Sequence, residues 1–505
     1  MNSTVIDRAD VADPASHGAT EPGVAAFLRS SDRPMLVDGK WVEASSGAAF
    51  AVGNPTNETI LAHVAQADAQ DVAAAVAAAR RAADDGRWSG LHPAQRSLIL
   101  NRVADLLERD SEMLAQLETL NNGMTIHVTR GLVQYAISLF RYYAGWPTKI
   151  HGATNPGDPS MLNYTLKEPL GVVGAILPWN GSIGASAMKL APILATGNCA
   201  VVKPAEQAPL TVLRLGELLL EAGLPDGVVN IVTGFGPEAG KALTEHSDVD
   251  CIAFTGSTAT GKQILAASAG TLKRTILELG GKTPNIIFPD ADLDAAVQTA
   301  LFGFTYMNGQ GCALGTRIFV QRDLYEEFSA KLSVAAKAMT VGDPLDESTG
   351  LGPLGFRAQY DRVNKYIGIG RDGGATVAHG GDNPDRKGYF VRPTIFTGVT
   401  NDMRIAREEI FGPVASLIAF DDEDDAVFQG NDSDYGLAAA VWTNDITRAH
   451  RMAGRLKAGT VWVNTMAWLD VSCPFGGYKQ SGLGSELGPD SIDQFMQTKA
   501  VFVKL

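Results

Sequence analysis

The chain has 505 residues, 45% of them hydrophobic and 19% charged, enough for two or three packed domains. A formal net charge of -14 repels phosphate backbones and anionic lipid, so neither nucleic acid nor a membrane surface is an expected partner. No apolar run approaches the roughly 18 to 20 residues that cross a bilayer.

Residues 1–30 open the chain as a polar stretch with Asp7, Asp10 and Asp13. No apolar or Arg-rich run suggests a secretory or transit signal, so a flexible tail on a cytoplasmic protein is expected. Residues 35–42 read as a hairpin turned by Asp38-Gly39. Helical patterns follow over 71–83 and 94–120, and 142–169 breaks the pattern. Short apolar runs at 171–177, 199–202, 228–232 and 251–254 then read as strands. Between the second and third, Val212, Leu215, Leu219 and Ala222 recur at helical spacing until Gly223 and Pro225. This alternation predicts an α/β fold with a doubly wound, Rossmann-like parallel sheet, a platform for a nucleotide. A second α/β unit begins near Gly281, with a strand at 317–320 and a helix at 324–339. The closing stretch 497–505 reads as an isolated strand. It and 142–169 are orphan extended pieces, expected to pair with each other or with another subunit.

The four cysteines are Cys199, Cys251, Cys312 and Cys473; with no C-x-x-C or H-E-x-x-H run, free thiols are expected and no metal site. Cys312 lies between Gly311 and Ala313, which leave its sulfur unshielded as a nucleophile requires; locally, a small buried hydrophobe accounts for it as well. Glu278 sits between Leu277 and Leu279, where an apolar setting raises a carboxyl pKa toward the range of a general base. An exposed edge-strand glutamate is the other reading. Asn180 follows a strand end and is either an oxyanion donor or an ordinary turn residue. Residues 256–262 (GSTATGK) nearly match a phosphate loop, but Gln263 stands where a magnesium-binding hydroxyl belongs, which counts against an ATP-hydrolysing enzyme. Together with Gly234, Gly236 and Gly240 it can still offer backbone N–H groups to a pyrophosphate.

Seven motifs stand in one order: PWN (178–180), KPAE (203–206), FTGST (254–258), LELGGK (277–282), GQ-x-C (309–312), EEIFGPV (408–414) and PFGGYKQSG (474–482). From about residue 35 to the C-terminus the chain thereby resembles the aldehyde dehydrogenase superfamily. Residues 24–28 and 35–47 are most similar to its phenylacetaldehyde dehydrogenase branch.

The resemblance implies a nucleotide-binding domain (31–148 and 170–280), a catalytic domain (281–485) and a small β bridging domain (149–169 and 486–505) that joins subunits into a dimer or dimer of dimers. It implies NAD-dependent oxidation in which Cys312 attacks the aldehyde, Asn180 holds the oxyanion and Glu278 activates water against a thioester. Trp179, Lys203, Glu206, Gly236, Gly256, Ser257, Gly261, Glu409 and Phe411 match cofactor contacts, and Glu206 favours NAD over NADP. Lys189 and Glu486 match partners of the catalytic glutamate; Ser485, where many members carry Arg, puts the support of Glu486 in question. Gly181, Met188, Trp468, Leu469 and Phe475 match the substrate tunnel. Gly181 and Met188 replace aromatics, so a wide tunnel is expected, with Met466, Trp468 and Leu469 as apolar contacts at its mouth. A hydrophobic aromatic or terpenoid aldehyde is the expected substrate. Asp470 leaves an aminoaldehyde of the betaine-aldehyde type as the alternative. Glu278 counts against a CoA-acylating enzyme, and the three catalytic residues together count against a crystallin-like structural protein.

Overall fold

The computed structural model describes residues 11–13, 17–30 and 32–505. An eight-stranded sheet has at its centre five parallel strands in the spatial order Arg274–Glu278, Cys251–Thr255, Val172–Ile176, Cys199–Lys203 and Val229–Ile231. From Val172–Ile176 the chain first fills the sheet to one side, then returns to fill the other. The reversal leaves a crevice beyond the carboxyl ends of Val172–Ile176 and Cys251–Thr255, where open α/β sheets bind ligands. Both edges are antiparallel. Gly482–Leu483 flanks Arg274–Glu278, and the hairpin Met35–Val37/Lys40–Val42 flanks Val229–Ile231. Asp38 and Gly39 turn that hairpin at φ 52° and 74°, as a tight two-residue loop of this hand requires.

A second, seven-stranded sheet runs Thr376–His379, Thr394–Thr397, Val414–Phe420, Arg317–Gln321, Pro284–Ile287, Ala438–Trp442 and Thr460–Val463. A third pairs the two orphan segments: Met161–Pro169 runs antiparallel to Met496–Lys504 over nine residues, with Thr154–Asn155 on its outer edge. Among the described residues no helix is long and apolar enough to cross a membrane.

Three local expectations change. Part of the supposed tail is ordered: Pro22–Leu28 is a helix that buries Val24, Phe27 and Leu28, and Gln116 Oε1 accepts the Thr20 and Glu21 N–H groups. The spacing of those three apolar residues is that of one helix face. Residues 1–10 lie outside the described residues. The pattern over 94–120 is two helices, Pro93–Arg109 and Ser111–Asn122, because Asp110 leaves helical geometry and turns its carboxylate to Arg109 and Arg214. Residues 142–144 end an unforeseen helix, Ile126–Ala144, which buries Val133, Ala136, Ile137, Phe140 and Tyr143.

Candidate active site

The crevice is one continuous cleft of about 980 Å³. It brings together Trp179, Asn180, Lys203, Glu206, Gly236, Gly256, Ser257, Cys312, Glu409 and Phe411, from segments far apart in sequence. At one end Lys203 is buried at the tip of its strand, its Nζ 3.2 Å from Glu206 Oε2 and 3.0 Å from the Pro204 carbonyl. Burial lowers its pKa, and the Glu206 charge opposes that shift. Midway, Ser257 caps the helix Thr258–Ser268, its Oγ accepting the Thr260 N–H at 3.2 Å, so the positive end of that helix faces the cleft. Gly261 is not in the wall. A methyl there would lie 2.5 Å from Leu279 Cδ2, so this glycine lets the helix pack closely on the residue after Glu278.

Cys312 stands at the other end. The loop before it bends through three successive left-handed residues, Met307, Asn308 and Gly309, at φ 52°, 58° and 76°. Such backbone persists only where its surroundings over-determine it. Asn308 Nδ2 donates at 2.8 Å to the carbonyls of Gly123 and Pro353, and its Oδ1 accepts the Gly352 N–H at 3.0 Å. A methyl on Gly281 would lie 2.3 Å from the Cys312 carbonyl, so the Gly-Gly turn after Glu278 seats directly against the cysteine. Cys312 is half-buried by area yet deep in the cleft. Burial, then the charges of Glu409 and Glu278, push its thiol up to about 12, while its own N–H and that of Ala313 oppose the shift.

Asn180 Nδ2 donates to the Gln310 carbonyl at 2.7 Å, which fixes the amide beside the cysteine loop. An amide nitrogen carries two hydrogens, so one N–H remains to donate elsewhere. Gln310 is in turn held by the Gly355 N–H on its Oε1, 3.0 Å away. Glu409, whose Oε1 accepts the Gly281 N–H at 3.0 Å, is raised by burial to about 7. Gln359 and Arg362, which sequence reasoning passed over, clamp its segment by donating to the Phe411 and Glu409 carbonyls at 2.6 Å each. Trp179 meets Phe356 and Phe411 edge to face at 5.1 and 5.4 Å.

Glu278 lies behind the cleft wall, 3% exposed, with neither carboxylate oxygen partnered. A buried carboxyl without partners is rare and calls for an explanation. Burial, then Glu486, raise its pKa well above the usual range, and Lys189 opposes them. Lys189 and Glu486 are themselves a buried ion pair. Ser485 does not loosen Glu486, whose backbone exchanges two 2.7 Å hydrogen bonds with Phe475.

The surroundings of the expected tunnel differ in four respects. A methyl on Gly181 would lie 3.2 Å from Leu132 Cδ1 and 3.3 Å from Met307 Cε, so the space left by the missing side chain is taken up by these neighbours. Leu132 and Tyr135 flank Gly184 in the helix after Asn180, and with Met188 and Leu469 they are half-buried residues packed on the nucleotide-side core rather than in the cleft lining, so the space is narrower than Gly181 alone suggests. Met466 does not reach the mouth; it is 5% exposed, its sulfur packed against Gly303 and Gly315. Trp468 is 71% exposed, because left-handed Ala467 turns the backbone and Trp462 Nε1 holds the Trp468 carbonyl at 2.9 Å. Phe475 is buried against the nucleotide-side core.

The sequence and the fold are both similar to those of known proteins. The model of the aldehyde dehydrogenase family matches residues 41–501. The fold is similar to the NAD+ complex of an aldehyde dehydrogenase from Bacillus cereus, with TM-score 0.95 and 47% identity over 96% of this chain and 99% of that one. It is also similar to betaine aldehyde dehydrogenase from Staphylococcus aureus in complex with NAD+, with TM-score 0.94 and 38% identity over 95% and 96% of the two chains. The mitochondrial benzaldehyde dehydrogenase of Antirrhinum majus is 45% identical, covering 93% of this chain and 89% of that protein.

Proposed function

The chain belongs to the aldehyde dehydrogenase family, with NAD as its cofactor, and from that premise we propose that it oxidises a bulky, uncharged, hydrophobic aldehyde to the acid through a thioester on Cys312. The observation that carries this chemistry is Cys312 and a fixed Asn180 amide at one end of the cleft, with the partnerless Glu278 carboxyl behind the wall and near enough for its charge to bear on the thiol. On this reading 31–148 and 170–280 bind cofactor, 281–485 supply the nucleophile, and 149–169 with 486–505 bridge subunits.

NAD fits the cleft. A methyl on Gly236 would meet nothing within 4 Å, which leaves room for a ligand against the backbone, and the start of helix Thr258–Ser268 suits its pyrophosphate. Lys203 and Glu206 would hold a ribose, Gly256 and Ser257 the pyrophosphate, and Trp179, Glu409 and Phe411 the nicotinamide end. The Glu206 carboxylate accepts from a ribose hydroxyl and repels a 2′-phosphate, which favours NAD over NADP.

Cys312 as thiolate forms the C–S bond to the aldehyde carbon. The free Asn180 N–H and the Cys312 backbone N–H stabilise the charge that gathers on oxygen. NAD, when bound, supplies the hydride acceptor that turns this adduct into a thioester. Glu278 then takes a proton from the water that attacks the thioester, the C–S bond breaks, and the acid leaves with the thiolate restored.

Both working groups are acids whose pKa the site raises, so their reactive, deprotonated forms grow with pH. We therefore expect kcat/KM to climb steadily from pH 6 to pH 9. An optimum at or below pH 7 would contradict these assignments.

Support for the aldehyde class comes from the apolar side chains around the residues after Asn180, with Leu132 and Met307 beside Gly181 and Leu132 beside Gly184. With each buried methylene worth roughly 0.8 kcal/mol, kcat/KM should rise about fourfold per carbon until the tunnel fills. A second reading has one observation behind it: Ser472 holds Asp470 ionised through its N–H and hydroxyl, and that charge bears on Tyr135 and Tyr142. A cationic aminoaldehyde would suit this mouth. A panel of phenylacetaldehyde, citral, octanal, acetaldehyde, succinic semialdehyde and betaine aldehyde, each with NAD and NADP, separates the two. The first three should lead, with NAD preferred; a lead for betaine aldehyde favours the second reading, and one for acetaldehyde or the semialdehyde excludes both.

We also assign the protein to the cytoplasm, as a homo-oligomer joined along the paired strands Met161–Pro169 and Met496–Lys504. Leu162, Leu166 and Phe502 lie exposed there. Light scattering should return a multiple of the chain's 53.3 kDa, and a monomer would refute the assignment.

A further inference from the structure

The helix Ser182–Ala195 begins at Gly181, which has no side chain to cap the first-turn amides. Glu118, fully buried near the end of helix Ser111–Asn122, supplies a carboxylate from another element: it lies close enough to the Ser182 and Ile183 N–H groups for them to favour its charged form. Thr211 Oγ1 also donates to this carboxylate, as does Asn122 Nδ2 at 2.9 Å. One turn of chain therefore anchors the residues that immediately follow Asn180.

The same helix end makes two further connections. Asn121 Nδ2 donates to the Gln207 carbonyl at 3.0 Å and its Oδ1 accepts the Leu210 N–H at 3.1 Å, tying down the loop that carries Glu206. The carbonyl of Gly123, at φ 81°, accepts Asn308 Nδ2 at 2.8 Å and so braces the strained loop before Cys312. A methyl at Gly123 would lie 2.8 Å from Pro353 Cγ and 2.9 Å from its carbonyl oxygen, so this close approach needs glycine.

We propose that residues 118–123 position the active site, Glu118 acting through the start of helix Ser182–Ala195 on Asn180, and Asn121 acting through the 207–210 loop on Lys203 and Glu206. This rests on the roles given above to Asn180 and to the two cofactor residues. Neither Glu118 nor Asn121 touches the cleft. They are positioning residues, and each should affect a different kinetic constant.

Steady-state kinetics and NAD binding by protein fluorescence, on Glu118→Gln, Asn121→Ala, Asn180→Ala and the double variant Glu118→Gln/Asn180→Ala, test the assignment. Displacement of a catalytic donor costs about 10²-fold, so Glu118→Gln should lower kcat by that order with the NAD Kd within about twofold. Asn121→Ala should raise the NAD Kd and KM about tenfold with kcat within about twofold. In the Asn180→Ala background, Glu118→Gln should cost less than about twofold more, because its effect runs through the missing amide. Thr211→Val, which removes one donor and keeps the charge, should give the same split in milder form and serves if Glu118→Gln does not fold. An equal fold-loss from Glu118→Gln in both backgrounds overturns the proposal alone. So does a parallel loss of kcat and NAD affinity in both single variants, the mark of a purely structural helix. Normal kcat in Asn180→Ala overturns the oxyanion role of Asn180, and the proposal falls with it.

Discussion

Replacing Cys312 by Ala or Ser is expected to lower kcat by about 10⁴-fold or more, with NAD binding and thermal stability close to those of the parent protein. The nucleophile has no understudy: Cys199 and Cys251 are buried, and Cys473 is exposed on the loop before Phe475, outside the cleft lining. Serine keeps the size and loses the chemistry, because an alkoxide is far harder to form than a thiolate and leaves a carbonyl carbon less readily. The fold should not suffer, since the loop is held by Asn308, Gln310 and the Gly-Gly turn rather than by the sulfur. Retention of more than a few per cent of activity by Cys312→Ala would remove the nucleophile assignment.

Glu278→Gln should separate the two halves of the reaction. Before the thioester forms, Glu278 makes and breaks no bond, and to the extent that it is ionised its charge, after burial and Glu409, helps to hold the Cys312 thiol protonated. Losing that charge leaves the first half-reaction at least as fast. Afterwards no other carboxyl is placed to take the proton from water: Glu409 is engaged with Gly281, and Glu486 is paired with Lys189. Rapid mixing should therefore show a burst of NADH close to one per active site, followed by turnover slowed about 10² to 10⁴-fold, the usual weight of a general base. A fall of burst and steady rate by the same factor would give Glu278 a different role.

What could be read in the sequence, and what could not, divides on physical grounds. The strands and the cleft were legible, because apolar runs punctuated by glycine report on the chain's own neighbours along the backbone. Asp38-Gly39 specified its turn for the same reason. Helix Ile126–Ala144 carried a readable stripe in Val133, Ala136, Ile137, Phe140 and Tyr143, though its start has no side-chain cap to mark it. Gly181 could not be interpreted alone. A sequence tells which side chain is missing, not that Leu132 and Met307 move into the space. Met466 likewise reads as a surface apolar residue until Gly303 and Gly315 are seen to receive it. Glu118 looks like an ordinary helix carboxylate; only the fold reveals that it is buried and held by Thr211 and Asn122 beside the start of a distant helix. Glu278 sits between these cases. Its two leucine neighbours signalled burial, whereas the Lys189–Glu486 pair that balances it arises from residues nearly three hundred positions apart.

The most direct test of the account is to trap the covalent intermediate. The Glu278→Gln protein, mixed with NAD and phenylacetaldehyde, quenched in acid within the burst and digested, should carry a phenylacetyl group on the peptide containing Cys312, in near one-to-one yield and only when NAD is present. An acyl group on any other residue, or a full NADH burst with no protein-bound acyl group, would contradict the thioester on Cys312.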